Sequence, residues 1–225
     1  MKMRSVAGLQ LPPWPKCHSV SRGEFEAAFF EDFTYSSEYH SRYEEPEFQL
    51  FFETNFQGTD EQLKFGKNSA IWRLLEDFYF YAEMGINPEF SFSDDDFMWA
   101  IEFLTHLHSL KEWHGIGSWA LEKIVYKAFA RIKLDSHLDV DGHDDFPTLS
   151  SGFLPLAHTK HFTMLEVALL AGVSNVRSIR NATYDKNAPL ATIKEGGSVL
   201  VTVDEARQWL ATRPKFIPTQ GVDYD

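Results

Sequence analysis

The stretch Phe162 to Ala182, FTMLEVALLAGVSNVRSIRNA, decides the reading of the chain, because it spells two short helices joined by a Gly-centred turn. Thr163 and Glu166 have the T-x-x-E spacing of a capping box, in which the Thr hydroxyl takes an orphan backbone N–H and the carboxylate reaches back to the cap. A helix is therefore expected from Met164. Met164, Val167, Ala168 and Ala171 recur at helical spacing and provide one buried stripe. Gly172 follows where only a residue without a Cβ enters a left-handed turn cheaply, so this helix should stop at Ala171. Val173 is expected to pack under the turn and Ser174 to cap a second helix. In that helix Val176, Ile179 and Ala182 should point inward, leaving Arg177, Ser178, Arg180 and Asn181 outward.

The outward side chains suit a DNA groove: Arg pairs with the guanine edge or with phosphate, Asn with adenine, and Ser with either. The string resembles the helix-turn-helix of the MerR-like and excisionase-like winged-helix families, whose E-V-A-x-x-x-G-V-S pattern is met by Glu166, Val167, Ala168, Gly172, Val173 and Ser174. Those families follow the recognition helix with a β-hairpin wing and a helix ending near Trp-Leu, and LATIKEGGSVLVTVDEARQWL, Leu190 to Leu210, is similar. The resemblance covers residues 158 to 215. It implies a winged helix-turn-helix on double-stranded DNA, with Ser174, Arg177, Ser178, Arg180 and Asn181 at the groove and Lys186 and Lys194 on phosphate. One position departs from the pattern. An apolar residue is usual where Ser178 stands, and Ile179 comes one place later, so either the turn is one residue longer or the second helix is rotated.

Within the hairpin, strands Leu190–Lys194 and Val199–Val203 are expected around the turn Glu195-Gly196-Gly197-Ser198. Lys194 sits near its tip. Thr202 with Glu205 has capping spacing for the last helix, whose Ala206, Trp209 and Leu210 should bury against the wing before Pro214 ends it. Leu165, Leu169 and Leu170 lie off the main stripe of the first helix and suggest a second contact surface, against the acidic domain or a partner chain.

The formal charge of −12 is unevenly distributed. Residues 1 to 157 hold 13 Lys and Arg against 26 Asp and Glu, whereas residues 158 to 215 hold 8 against 5, so the positive balance falls on the expected DNA-binding segment. An excess this small implies modest affinity from one copy, and a homodimer is the usual way to double the contacts. The lone Cys17 allows no internal disulfide, and no apolar run suits a signal peptide or a membrane span, which together point to a cytoplasmic protein without a membrane partner.

The first 146 residues read as an acidic, aromatic-rich helical domain. Phe25, Ala28, Phe29 and Phe33 form one stripe; Ile71, Leu74, Leu75, Phe78 and Ala82 form a second; Phe97, Ile101 and Leu104 follow a cap at Ser93; and Leu121, Ile124, Val125, Ala128, Phe129 and Ile132 form the last. Leu110 to Phe129 resembles the GIG-x-W helix-hairpin-helix of base-excision DNA glycosylases, with Gly115, Ile116 and Gly117 turned toward a phosphate and Asp135 near the position of the catalytic Asp. Asp139, Asp141 and Gly142 mimic part of a calcium loop, but His137 and Thr148 stand where its end ligands belong. His106 and His108, two apart on a helix, make a poor ligand pair. No cofactor, metal or catalytic residue is expected.

The expected architecture is mainly α: an acidic helical domain over 1–146, a linker over 147–157, a winged helix-turn-helix with a small β-hairpin over 158–215, and a tail over 216–225. The leading function is DNA binding without chemistry, as a transcriptional regulator or excisionase-like factor, with the acidic domain dimerising, receiving a protein or ligand as a regulatory input, or shielding the basic face. Two alternatives stand beside it: a helix-hairpin-helix glycosylase using Asp135, and a protein-interaction module that has lost DNA.

Overall fold

The computed structural model describes residues 5–6, 9–10, 17–43, 67, 69–88, 92, 95–96, 99–100, 102–103, 119–135, 161–186 and 189–222. It is mainly helical with a small antiparallel sheet. In chain order the elements are β1 (Ser5–Val6), β2 (Leu9–Gln10), α1 (Arg22–Tyr43), α2 (Ala70–Met84), α3 (Trp119–Asp135), β3 (His161–Thr163), α4 (Met164–Leu170), α5 (Val176–Ala182), β4 (Ile193–Glu195), β5 (Ser198–Thr202) and α6 (Val203–Ala211). The chain forms two compact units, one of Ser21–Asp77 with Ser93–Glu122, the other of Met1–Val20, Phe78–Phe92 and Lys123–Asp225. The GIG turn, the partial calcium loop, His106, His108 and the expected linker lie outside the described residues.

In the first unit α1 starts from a capping box: the Ser21 hydroxyl accepts from the Glu24 N–H at 3.2 Å, and the Glu24 carboxylate accepts from the Ser21 N–H at 2.8 Å. Phe25, Ala28 and Phe29 are buried as their spacing predicts. The stripe of α2 departs from expectation. Trp72 is buried and Ile71 only half-buried, because the indole packs on Phe25 and Phe29 with ring centroids 5.1 and 4.8 Å away. An aromatic ring of that size removes more apolar surface from water than an Ile, so it takes the inner position.

In the second unit α3 is the axis, and its burial differs from the expected single stripe. Every residue from Leu121 to Arg131 is buried, as are Lys133 and Leu134, while Ile132 is only half-buried. A helix can bury a cationic face only if each charge finds a partner. Lys127 Nζ lies 2.7 Å from the Glu83 carboxylate. Arg131 donates to the carbonyls of Ile217 and Ala82 and to the Thr219 hydroxyl, at 2.7, 3.2 and 2.9 Å. Lys133 pairs with Glu166 at 2.5 Å and donates to the His161 carbonyl at 2.8 Å. Burial pushes both lysine pKa values below the ordinary range, and the facing carboxylates oppose that shift.

The segment after Pro214 packs in this unit as well. Phe216 and Thr219 are buried, and the Gln220 N–H donates to the Gly85 carbonyl at 2.8 Å. Gly85 has φ +63°, and a Cβ there would lie 2.3 Å from the Pro218 carbonyl oxygen, so only glycine allows the approach. Among the described residues no helix is long and apolar enough to cross a membrane.

Candidate nucleic-acid interface

The segment from β3 to α6 follows the local signals closely. Thr163 and Glu166 form both halves of the capping box, the Thr163 N–H donating to Glu166 Oε2 at 2.6 Å and the Glu166 N–H to the Thr163 hydroxyl at 3.3 Å. Helix α4 ends at Leu170 with Ala171 as its cap, and Gly172 takes φ +59°. Leu169 and Leu170 are buried in this unit and Leu165 is half-buried.

The second helix differs from expectation at its start. Ser174 does not cap it. Asn175 does, its side chain accepting from the Ser178 N–H at 3.2 Å, while the Ser174 hydroxyl accepts from the Asn175 amide. The turn is one residue longer, which places Ile179 inward and fully buried and Ser178 half outward. The turn is pinned from outside: the Cys17 N–H donates to the Ser174 carbonyl at 3.1 Å. Cys17 itself is buried, and burial pushes its thiol pKa up, away from nucleophilic behaviour.

The hairpin is shorter than its sequence signal. Glu195 pairs with Ser198 across the two-residue loop Gly196-Gly197, in which both glycines have positive φ, as the tightest hairpin turns require. Strand β5 also pairs with β3, with Phe162 opposite Val201, so the sheet order is β3-β5-β4. Strand β3 escapes sequence reasoning because three residues show no period; its signal is the buried Phe162 between half-exposed His161 and Thr163. Thr202 caps α6 through the Glu205 N–H, but the Glu205 carboxylate accepts from the Ala191 N–H instead of closing a box. Ala206, Trp209 and Leu210 are buried, with the Arg213 guanidinium 4.1 Å from the Trp209 ring centroid.

Arg177, Arg180, Asn181, Lys186, Lys194 and Ser174 are all exposed. At about 100° per residue, Arg177 and Asn181 share one side of α5 while Arg180 is turned roughly 60–100° away, toward the hairpin. The structure thus sorts the expected set. Arg177 and Asn181, with half-buried Ser178 beside them, make an outer ridge. Arg180 and Lys194 line a groove of about 700 Å³ between α5 and the hairpin, which also holds Met164, Leu165, Val176 and Val199. Lys186 lies beyond the helix end and lines neither.

Among the described residues, Arg177, Arg180, Lys186 and Lys194 enter no ion pair. Other cations of the same unit are spent internally: Arg207 is buried, its Nε donating to the Leu134 carbonyl at 2.7 Å. No family model, no curated protein and no solved structure matches the chain. Asp135, the residue singled out by the glycosylase resemblance, accepts from the hydroxyls of Tyr81 and Thr219, each at 2.6 Å. Among the described residues no group of three or more His, Cys, Asp or Glu side chains could hold a metal ion.

Proposed function

We propose that the chain is a DNA-binding protein whose C-terminal segment acts as a winged helix-turn-helix, with α5 entering the major groove and the β4–β5 hairpin beside it. The observation that carries this reading is the outer ridge of α5. Arg177 and Asn181 stand one turn apart and exposed, their side chains without partners among the described residues, and these are the residue types that make bidentate contacts to guanine and adenine. Ser174 and Ser178 flank them for phosphate, and Lys186 and Lys194 add charge on either side. Transcriptional regulation or element excision follows from the family resemblance, and a homodimer would bring two such ridges to one site.

The test is fluorescence-anisotropy binding of random-sequence duplex DNA by the full chain over a salt series. The expected result is saturable binding with a log–log salt slope of about 0.9 per phosphate contact, lowered by about one contact in Arg177→Ala. Absence of binding at low salt would end the reading.

A further inference from the structure

The proposed duplex contacts draw on the groove between α5 and the hairpin only at Lys194 and leave its apolar lining unused. Two cations, Arg180 and Lys194, stand on different walls, and none of the lining residues is a carboxylate. Its lining combines the aliphatic Met164, Leu165 and Val176 with threonine and serine hydroxyls. Two apolar side chains at the opening are well exposed, Tyr184 at 85% and Val199 at 42%. Asp185 and Glu195 are near in sequence, but neither lines the groove. At about 700 Å³ the space is that of a site for a few side chains, and a double helix does not enter it. Single-stranded nucleic acid would call for several stacking rings, and this groove offers only Tyr184. Aliphatic walls with a cation on each side complement an extended segment that is both acidic and apolar. Strand β4 adds to this, because it is the outer strand of the sheet and presents a backbone edge of the kind that extended segments pair with.

We infer that this groove docks an acidic peptide segment of a partner protein, an apolar side chain seated on Met164, Leu165 and Val176 and flanking carboxylates paired with Arg180 and Lys194. The groove does not include the Arg177 and Asn181 ridge and shares only Lys194 with the proposed duplex contacts, so Arg177 can be changed without touching it.

The experiment measures anisotropy of a fluorescein-labelled peptide of about 12 residues, built of Asp and Glu with two Leu and one Phe, titrated with the full chain. A matched peptide with Ser for its apolar residues and an oligothymidylate of similar length serve as controls. Saturable binding is expected, about 10-fold weaker in Lys194→Glu and about 3-fold weaker in Val199→Ser, with the Ser-substituted peptide much weaker. Both positions are exposed, and circular dichroism shows whether each variant is folded. Binding that does not saturate, equal binding of the Ser-substituted peptide, or tighter oligothymidylate binding with the same loss in Lys194→Glu would each overturn the proposal. Arg177→Ala separates the two readings, since it should lower duplex affinity and leave peptide affinity unchanged.

Discussion

Lys133 of α3 and Glu166 of α4 meet as an ion pair at 2.5 Å, with side chains only 2% and 4% exposed. The same carboxylate closes the capping box at Thr163, so one residue starts the helix pair and fastens it to α3. Lys133 also lies 4.4 Å from the Phe162 ring centroid, which ties the ammonium to β3.

Removing one partner of this pair strands the other in a dry interior. Glu166→Ala or Lys133→Met alone should cost about 3–5 kcal/mol, while the double variant Lys133→Met/Glu166→Leu should recover most of that loss. Urea denaturation of the full chain measures it, and additive single losses would contradict the account. For the same reason residues 156–225 in isolation should show no cooperative unfolding. Without α3, Glu166 loses its ammonium and Arg207 loses the Leu134 carbonyl.

The cap of α5 makes a residue-level distinction. Asn175→Ala should cost about 0.5–2 kcal/mol, because the Ser178 N–H loses its side-chain acceptor and keeps only the Asn175 carbonyl, whereas Ser174→Ala should stay within about 0.5 kcal/mol. Thermal denaturation measures both, and a larger loss for Ser174→Ala than for Asn175→Ala would place the cap at Ser174 after all.

Two glycines with similar φ should respond differently to alanine. At Gly196, φ +55°, nothing lies within 4 Å of an added Cβ, so the substitution costs only the left-handed backbone term of about 1–2 kcal/mol. At Gly85 the same term applies and the Cβ also meets the Pro218 carbonyl, so Gly85→Ala should lose clearly more. Comparing the two midpoints in urea checks the ordering, and equal losses would remove the steric argument.

Asp77 carries a pH dependence of definite sign. Its carboxyl pKa is raised by partial burial and by the nearby charges of Glu76 and Asp96. Both states bind the proton below the unfolded pKa of 3.8, so no cost exists there. As pH rises through the folded value the ionised form is disfavoured in the native state, and stability is lost. Asp77→Asn should therefore stabilise the chain slightly at neutral pH, with a gain that vanishes in acid. A gain that persists below the unfolded pKa would refute the electrostatic cause.

Local chemistry made much of the C-terminal segment legible in the sequence. The Thr163 cap, the left-handed Gly172, the Gly196-Gly197 loop and the buried Trp209 each depend on interactions spanning a few residues, which a short window displays. The cap of α5 is not legible in this way: Ser174 is the expected residue, and the lengthened turn instead carries the Asn175 side chain to the Ser178 N–H.

What the sequence by itself determined is therefore the order of helix, turn, helix, hairpin and helix, and the identity of the side chains they expose. The tertiary structure alone decided that α3 buries its cationic face, since Lys127, Arg131 and Lys133 find Glu83, Thr219 and Glu166 across separations of 44, 88 and 33 residues. It also decided that Arg180 turns into a groove with Lys194 while Arg177 and Asn181 stay on the ridge. Helical period sets the angle between those residues, but only the placement of the hairpin across the groove from α5 makes one side of the helix a wall and leaves the other open to solvent.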